Sequence, residues 1–314
     1  MNLSQLYYFR KLAQVGYFNR AAKELFITQP ALSTSISSLE KELGVVLFER
    51  SKNGVHLTDD GQEFNRHIAV ALSEVDRAVS AMADRAEHKS TVRIATTESV
   101  QRNQLPEFLN AFRQNYDAPV DFDISVTNTQ ESLTGLRERA FDVAFCTYVP
   151  DLPDMETMQF TTQNVVAAVN ENNPLASKDV ITLDDLHEHE SNLISYNQAS
   201  SQFTFRLFEG LFSDHGLAFK QRFANEIGAM SLLLSDDRSI ALMLDVVEDI
   251  PFPGTKTLPI KEFEGMFHLV SMTYRKTAAL DQTTRAFVRF ANEQLANRDF
   301  GTPIEEKYLK GQVG

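Results

Sequence analysis

Apolar side chains recur at helical spacing near the start of the chain, in three runs separated by short breaks. The first run begins at Leu3 and ends near Gly16, and it predicts an amphipathic helix. The second, shorter run places Ala21, Ala22, Leu25 and Phe26 on one apolar face, with Asn19 as its expected N-cap. The small alanines would let neighbouring helices pack closely across a tight turn.

The third run predicts a helix with a clear start and a clear end. Thr28 is expected to cap it, Pro30 suits its first turn, and Gly44 suits its end. Its apolar face repeats at spacings of four, three and four residues: Leu32, Ile36, Leu39 and Leu43. Its other face is polar but uncharged: Gln29, Ser33, Thr34, Ser37 and Ser38. This pattern is typical of a helix-turn-helix that presents its second helix to the major groove of DNA, although a small dimerisation module with a solvated polar face remains an alternative.

A short hairpin is predicted directly after these helices. Asn53-Gly54 is a strong turn signal between two short extended stretches, and Arg50, Lys52 and His56 flank it. Cations beside a recognition helix indicate a wing that grips the DNA backbone or the minor groove. An exposed hairpin with incidental charges is the alternative.

A long helix without proline is predicted from Gly61 to Glu87, capped by Asp59-Asp60. Its apolar residues step by alternating fours and threes, which is a heptad seam: Phe64, Ile68, Ala71, Val75, Ala78 and Met82. A symmetric homodimer is favoured, because two heads are needed to read a two-fold DNA site. Packing of this helix against its own domain is the alternative.

Beyond residue 90 the pattern changes to alternating strands and helices, which predicts parallel sheets covered by helices. Two similar sets indicate two lobes, and the last strand and helix are expected to return to the first lobe. The predicted organisation is 1–58 head, 59–89 linker helix, 90–161 with 266–300 first lobe, 162–265 second lobe and 301–314 tail.

Hydroxyl-rich turns follow the predicted strands, where ligands bind in such folds, near free N–H groups at helix N-termini. The candidates for ligand contacts are Thr97, Ser99, Thr127, Thr129, Thr147, Ser200 and Ser201. Plain helix capping would explain any one of these turns equally well.

Charge is distributed unevenly along the chain. The net charge is −13 overall, yet residues 1–58 hold seven Lys/Arg against four Asp/Glu, a net +3. A single cysteine, Cys146, excludes an internal disulfide and suits the cytoplasm, and no Cys/His cluster has zinc spacing. No run is apolar enough to cross a membrane. The sequence also lacks four common enzyme motifs: those for phosphate binding, dinucleotide binding, hydrolases and metalloproteases. Neither an enzyme nor a bound cofactor is therefore expected.

The head resembles the LysR-type transcriptional regulators, which are bacterial winged helix-turn-helix proteins. The resemblance rests on the long pattern AAKELFITQPALSTSISSLEKELGVVLFER and on GVHLTDDGQEF after the wing. It implies DNA contacts from the third helix and the wing: Thr28, Gln29, Pro30, Ser33, Thr34, Ser37, Arg50, Lys52 and His56. Many members carry arginine near positions 34 and 37, where this chain has threonine and serine.

The body resembles the effector-binding half of the same family, which is similar to periplasmic solute-binding proteins. Thr97 and Ser99 match positions that commonly hold the inducer, with Thr129 and Ser201 across the cleft. Where many relatives have a glycine-rich turn, this chain has Asp236, Asp237 and Arg238. The resemblance also implies dimers that often form tetramers.

The sequence therefore predicts an α/β protein with an N-terminal winged helix-turn-helix, a linker helix and a two-lobed effector domain. The expected function is regulation of transcription by a cytoplasmic homo-oligomer that binds an interrupted palindrome in double-stranded DNA and a small, anionic effector. The alternative is a DNA-binding regulator without a small-molecule effector, controlled by oxidation of Cys146 or by a protein partner.

Overall fold

The structure is a computed structural model. It describes residues 1–51, 54–87, 90–97, 100–101, 104–189, 193–196, 202–217, 221–223, 231, 233–244, 253–276, 280–295 and 303–308. The chain divides into two compact units, the first of which comprises Met1–His88 with Arg137–Ala140 and the second Lys89–Leu136 with Phe141–Gly314.

The first unit opens with three helices: α1 (Leu3–Val15), α2 (Phe18–Glu24) and α3 (Gln29–Leu43). Asn2 and Gln5 cap α1 through a reciprocal capping box, and Gly16 ends it in the left-handed conformation. The predicted cap of α2 is wrong, because Asn19 lies inside that helix and Tyr17 holds the cap position without a side-chain hydrogen bond. The predicted limits of α3, Thr28 and Gly44, are confirmed.

The three helices enclose a core in which α3 buries one face. Leu32, Ile36 and Leu39 of α3 are buried against Ala21 and Ala22 of α2. Small residues at that contact allow the helices to approach closely, as the sequence predicts. Aromatic rings extend the core, with Phe9 packing against the rings of Phe48 and Phe64: the ring centroids lie 5.2 and 5.0 Å apart, respectively.

The hairpin consists of β1 (Phe48–Ser51) and β2 (Gly54–Leu57), which pair in antiparallel register. Gly54 has φ +121°, and a side chain there would place its Cβ 2.7 Å from the carbonyl oxygen of Gly16, so glycine is required. The long helix α4 (Asp59–Glu87) follows. Thr58 caps it by accepting a hydrogen bond from the N–H of Gly61 at 3.0 Å, so the predicted capping by Asp59-Asp60 is wrong.

The second unit contains nine strands within the described residues, namely β3 (Ser90–Thr96), β4 (Val120–Val126), β5 (Val143–Thr147), β6 (Met155–Asn170), β7 (Leu193–Tyr196), β8 (Gln221–Phe223), β9 (Ile240–Leu244), β10 (Thr255–Pro259) and β11 (Phe267–Arg275). Its helices are α5 (Gln104–Asn115), α6 (Thr129–Arg137), α7 (Leu183–Glu188), α8 (Gln202–Asp214), α9 (Gln282–Leu295) and α10 (Glu305–Tyr308). The strands are ordered β4-β3-β5-β11-β6-β9-β7-β8, with β10 paired to β6.

The sheet has two parallel parts joined by two antiparallel strands. Strands β4, β3 and β5 are parallel to one another, and so are β9, β7 and β8. β6 runs through both parts, since residues 155–164 pair with β11 and residues 165–170 pair with β9 and β10. β11 also pairs with β5, which brings the chain back to the first part of the sheet.

Two cores stabilise this unit. One is rich in aromatic rings and is covered by α5 and α9, with the ring of Phe287 in contact with those of Phe108, Phe112 and Phe145. The other extends from the opposite side of the first strands into the second part of the sheet. Among the described helices, none is long and apolar enough to cross a membrane.

The short helix α10 near the C-terminus is anchored by its polar side chains. Glu305 is fully buried and accepts hydrogen bonds from His268 and from the N–H of Leu269. Lys307 forms an ion pair with Asp214, at the end of α8, at 2.6 Å. The segment predicted as a plain tail from residue 301 therefore contains a packed helix.

Candidate functional sites

The polar face of α3 is the first candidate site, and it lies on the surface of the head. The N–H of Ala31 donates to the Thr28 hydroxyl at 3.4 Å, which fixes the start of the helix. Behind this face, the buried apolar residues hold α3 on the other helices. The predicted contact residues share the opposite side: Thr28, Pro30, Thr34 and Ser37 are exposed, and Gln29 and Ser33 are half-buried.

This polar face continues into a groove beside the start of α1. The groove has a volume of about 560 Å³ and is lined by Pro30, Thr34 and Ser38 of α3 and by Asn2 and Gln5 of α1. Asn2 and Gln5 are occupied with capping α1, so they help to shape the groove. The groove beside α3 is therefore lined by uncharged residues.

Of the three predicted contacts in the wing, the structure describes the side chain of His56. His56 is exposed and pairs across the hairpin with Glu49, so an acid lies beside one of the predicted cationic contacts. Arg50 lies on β1 opposite Val55, but its side chain lies outside the described residues, as does Lys52. The N–H of Val55 donates to the carbonyl of Gly16 at 2.8 Å, which holds the hairpin against the end of α1.

Phe26 does not belong to the apolar face of α2, and that part of the sequence prediction is wrong. The helix ends at Glu24, the N–H of Ile27 donates to the carbonyl of Ala22 at 3.0 Å, and the N–H of Phe26 donates to that of Lys23 at 3.2 Å. This is a Schellman motif, whose left-handed position usually holds glycine. Phe26 occupies it with φ 56°, which costs about 1–2 kcal/mol for a residue with a side chain, and the residue is 96% exposed.

The heptad seam of α4 has two different halves. Ile68 and Leu72 are buried, and together with half-buried Phe64 they belong to the core of the head. Val79 and Met82, further along, are 66% and 56% exposed. The first half of this helix therefore packs against its own domain, as the alternative interpretation expects, and the second half presents exposed apolar side chains. Pairing of two linker helices stays a prediction.

The second candidate site lies where β3, β4 and β5 end. The N–H of Thr97 donates to the carbonyl of Phe145 at 3.2 Å, and the N–H of Thr127 donates to that of Thr96 at 2.8 Å. These bonds bring the predicted turns after β3 and β4 together beside the end of β5, as expected for neighbouring parallel strands. Ser99, Ser200 and Ser201 lie outside the described residues.

Capping explains some hydroxyls in these turns but not all of them. The cap of α6 is Asn128, whose Oδ1 accepts from the N–H of Glu131 at 2.9 Å, and the Thr127 hydroxyl bonds Ser132 at 2.7 Å. Thr129 is fully buried, and its hydroxyl has no hydrogen-bond partner in the part of the chain that is described. Such a group is unfavourable unless something else pairs with it.

A row of polar side chains continues from β5 across β11 to β6. The Thr147 hydroxyl lies 3.5 Å from Nε2 of His268, while Nδ1 of His268 donates to the buried carboxylate of Glu305. Gln163 lies opposite His268 on β6, so both side chains are on the same face of the sheet. Gln163 is 2% exposed, and within the described residues neither its amide nitrogen nor its amide oxygen has a partner.

Gln163 and His268 were not predicted from the sequence, although one signal could have identified them. A glutamine and a histidine in otherwise buried strands are unusual, because burying an unpaired amide is costly.

The charged turn at residues 236–238 is organised by its own contacts. Asp236 accepts hydrogen bonds from the N–H of Arg238 at 3.1 Å and from the Ser239 hydroxyl at 3.0 Å, and these bonds lower the pKa of its carboxyl group. Its negative charge is therefore already engaged within the turn.

Cys146 is buried in the core of the second unit. Burial raises the pKa of its thiol from 9.0 to about 12, with a hydrogen bond to Thr273 acting in the opposite direction. A thiol in this environment is a poor nucleophile and a poor redox sensor.

Two family models match most of this chain. The family model described as "LysR substrate binding domain" matches residues 85–296, and "Bacterial regulatory helix-turn-helix protein, lysR family" matches residues 3–62. The transcriptional regulator YvbU of Bacillus subtilis is 31% identical over 62% of this chain and 66% of its own length, just under two thirds. BenM of Acinetobacter baylyi is 30% identical over 69% of this chain and 71% of its own length.

The same fold is present in a solved structure. Full-length CbnR, a protein crystallised with its target DNA, superposes with a TM-score of 0.66 over 93% of this chain and 99% of that one, at 20% identity. At that identity the likeness shows the fold alone.

Proposed function

Because the chain belongs to the LysR family of bacterial transcriptional regulators, we propose that it is a sequence-specific DNA-binding regulator controlled by a small molecule. The observation that carries the proposal is the exposed, uncharged polar face of α3 above a buried apolar face. A helix held in this way can enter the major groove with its hydroxyls and amide towards the base edges.

The DNA contacts divide into two roles. Gln29 offers a bidentate amide suited to adenine, and the hydroxyls of Thr28, Ser33, Thr34 and Ser37 can bond bases or phosphates. Arg50, Lys52 and His56 of the wing are proposed to neutralise phosphates. Since Thr34 and Ser37 carry no charge, sequence selection by α3 depends on hydrogen bonds and fit, and the wing contributes the salt-dependent part.

The proposed regulator works as a homo-oligomer. The exposed apolar stripe that includes Val79 and Met82 on α4 supports pairing of two linker helices. Two heads related by two-fold symmetry would then read an interrupted palindrome, as a dimer or as a pair of dimers.

We propose that the effector binds where β3, β4 and β5 end, between the two lobes. The support is the buried hydroxyl of Thr129 and the buried amide of Gln163, neither of which has a partner among the described residues and both of which a ligand could satisfy. Thr97 and Thr147 belong to the same region, and Ser99, Ser200 and Ser201 are added from the sequence. A small molecule with one carboxylate suits the N-terminus of α6, and the Gln163 amide can both donate and accept.

The division of the body into two lobes, with boundaries near residues 161 and 266, is part of this proposal. The two parallel parts of the sheet support it. An effector would favour one lobe arrangement only if it binds the two arrangements with different affinity.

Control through Cys146 is disfavoured by its burial and its raised pKa, and control by a protein partner remains the second candidate. The proposed regulator needs no catalytic step, and it would work in the cytoplasm, where bacterial DNA lies.

The test is binding of the purified protein to the DNA upstream of its own gene, followed by footprinting across a salt series. We expect saturable, selective binding with a two-fold symmetric footprint, and affinity that falls as salt rises. Binding that ignores sequence on this DNA and on other operators, with or without added metabolites, would contradict the proposal.

A further inference from the structure

Phe26 combines two properties that the folding of the head does not explain. Its backbone is in the left-handed conformation at the end of α2, with φ 56°, where glycine would be free of strain. Its side chain is 96% exposed, so the ring gains almost nothing from burial. Neither the backbone nor the packing of the free protein therefore favours phenylalanine here. Local rules are broken in this way most often at functional positions.

The position of Phe26 in the head connects it to the recognition helix. It lies two residues before Thr28, the cap of α3, in the turn that joins α2 to α3. Its own N–H bonds the carbonyl of Lys23, and the next N–H bonds Ala22, so this turn has a defined backbone. The ring is presented from a fixed point beside the end of α3 that carries Gln29 and Pro30.

We propose that Phe26 is a specificity-determining DNA contact, whose ring packs against a thymine methyl group at the edge of the major groove. This inference rests on the proposed function of α3. An apolar ring has no partner on a phosphate, whereas the C5-methyl of thymine is the apolar feature of the major groove. Contact would remove both the ring and the methyl from water, which favours binding. The strained backbone of Phe26 would then serve to place the ring for recognition of one base pair.

The first experiment separates the ring from the fold by using Phe26→Gly in the full-length chain. Glycine removes the ring and also relieves the left-handed backbone, so we expect a melting temperature equal to or above that of the wild type. Affinity for the footprinted operator should fall about tenfold at fixed salt, while affinity for non-specific DNA stays unchanged. Val46→Ala is the matched control, because Val46 is also an exposed apolar residue of the head, 61% accessible, and it should change neither affinity.

The second experiment replaces each thymine of the operator half-sites in turn by deoxyuridine, which lacks only the methyl group. The wild type should lose about tenfold in affinity at one symmetric pair of positions. Phe26→Gly should lose nothing further at that pair, so the two changes together should cost no more than either one alone. Phe26→Asn, which also tolerates the left-handed conformation, should behave as the glycine variant does.

Three results would overturn the inference. The first is an operator affinity of Phe26→Gly equal to that of the wild type. The second is a loss of DNA affinity that is the same for every DNA sequence, or that adds to the loss caused by every deoxyuridine change. The third is a change in oligomer mass that accompanies the loss, which would mean that the ring serves contacts between protein chains. In each case the wild type still selects its operator, so the proposed function stands; a wild type that selects no operator would contradict both.

Discussion

Two regions of this chain contain uncharged polar side chains in opposite environments. On α3, Thr34 and Ser37 are exposed to water on a helix whose other face is buried. At the strand ends of the second unit, Thr129 and Gln163 are buried, and their polar atoms have no hydrogen-bond partner in the described structure.

Under the proposed function, the two regions differ in what their polar groups cost the protein before a ligand binds. An exposed hydroxyl bonds water until DNA replaces it, so it costs the free protein nothing. A buried, unpaired polar group costs about 1–3 kcal/mol. The exposed hydroxyls of α3 therefore add no such cost to the free head, whereas the buried polar groups of the body carry a cost that a bound molecule would remove. Effector binding should stabilise the second unit more than it changes the head.

The largest expected effect is a loss of unfolding free energy when the buried face of α3 is truncated. Ile36→Ala removes buried methyl groups from the core of the head, and we expect the head to lose about 2–5 kcal/mol of unfolding free energy. Ser37→Ala is the matched control, because Ser37 is adjacent, exposed and free of core contacts, and it should cost less than about 0.5 kcal/mol. Urea denaturation measures both. Equal effects would mean that α3 is not held by its apolar face.

The next effect sharpens the division of roles on DNA. Gln29→Ala should reduce discrimination between the operator and a mutated operator by about 1–3 kcal/mol, because an amide contact to a base is lost. Arg50→Ala should weaken binding to all sequences and reduce the salt slope by about one. Fluorescence anisotropy across a salt series measures both quantities. If the two variants behaved identically, the separate roles of helix and wing would be wrong.

A smaller change in unfolding free energy is expected when the buried polar group of Gln163 is replaced. Gln163→Leu replaces an unpaired amide by an apolar side chain of similar size, so we expect the free protein to keep its stability or gain about 1 kcal/mol. The response of operator binding to the effector should be lost. Asn164→Ala is the control, because Asn164 is the next residue on β6 and is exposed. A Gln163→Leu protein that responds normally would remove Gln163 from the effector site.

The smallest effect is expected at Cys146. Its pKa of about 12 lies above the ordinary value of 9.0, so its contribution to stability is fully present below pH 9.0 and is lost as pH rises towards 12. At pH 8 the native thiol should not react with a thiol reagent, and Cys146→Ala should keep full regulation. Rapid labelling of the folded protein, with altered DNA binding, would instead restore the redox alternative.

Most of the head could be predicted from the sequence because local signals determine its elements. Helical spacing located α3, and Thr28 and Gly44 marked its limits. The errors there are also local. Phe26 was placed on a helix face because the apolar spacing continues two residues past Glu24, into the Schellman motif that ends α2. Thr58, rather than Asp59-Asp60, caps α4, and both choices fit the same sequence pattern.

The body was harder because its polar contacts join distant parts of the chain. The first half of β6 has polar residues on both faces, so alternation did not mark it as a strand. Glu305 is buried because it pairs with His268, and no local pattern signals a partner so far away in sequence. Hydroxyl-rich turns were found, yet only the structure shows that Asn128 caps α6 and leaves the Thr129 hydroxyl unpaired.

Sequence reading by α3 is tested most directly by the ratio of affinities for the footprinted operator and for the same DNA with both half-sites scrambled, at fixed salt. We expect a ratio of about 10³ or more for the wild type. We expect a clearly smaller ratio for Gln29→Ala. A wild-type ratio near one, with tight binding to both DNAs, would contradict the claim that the exposed face of α3 reads sequence.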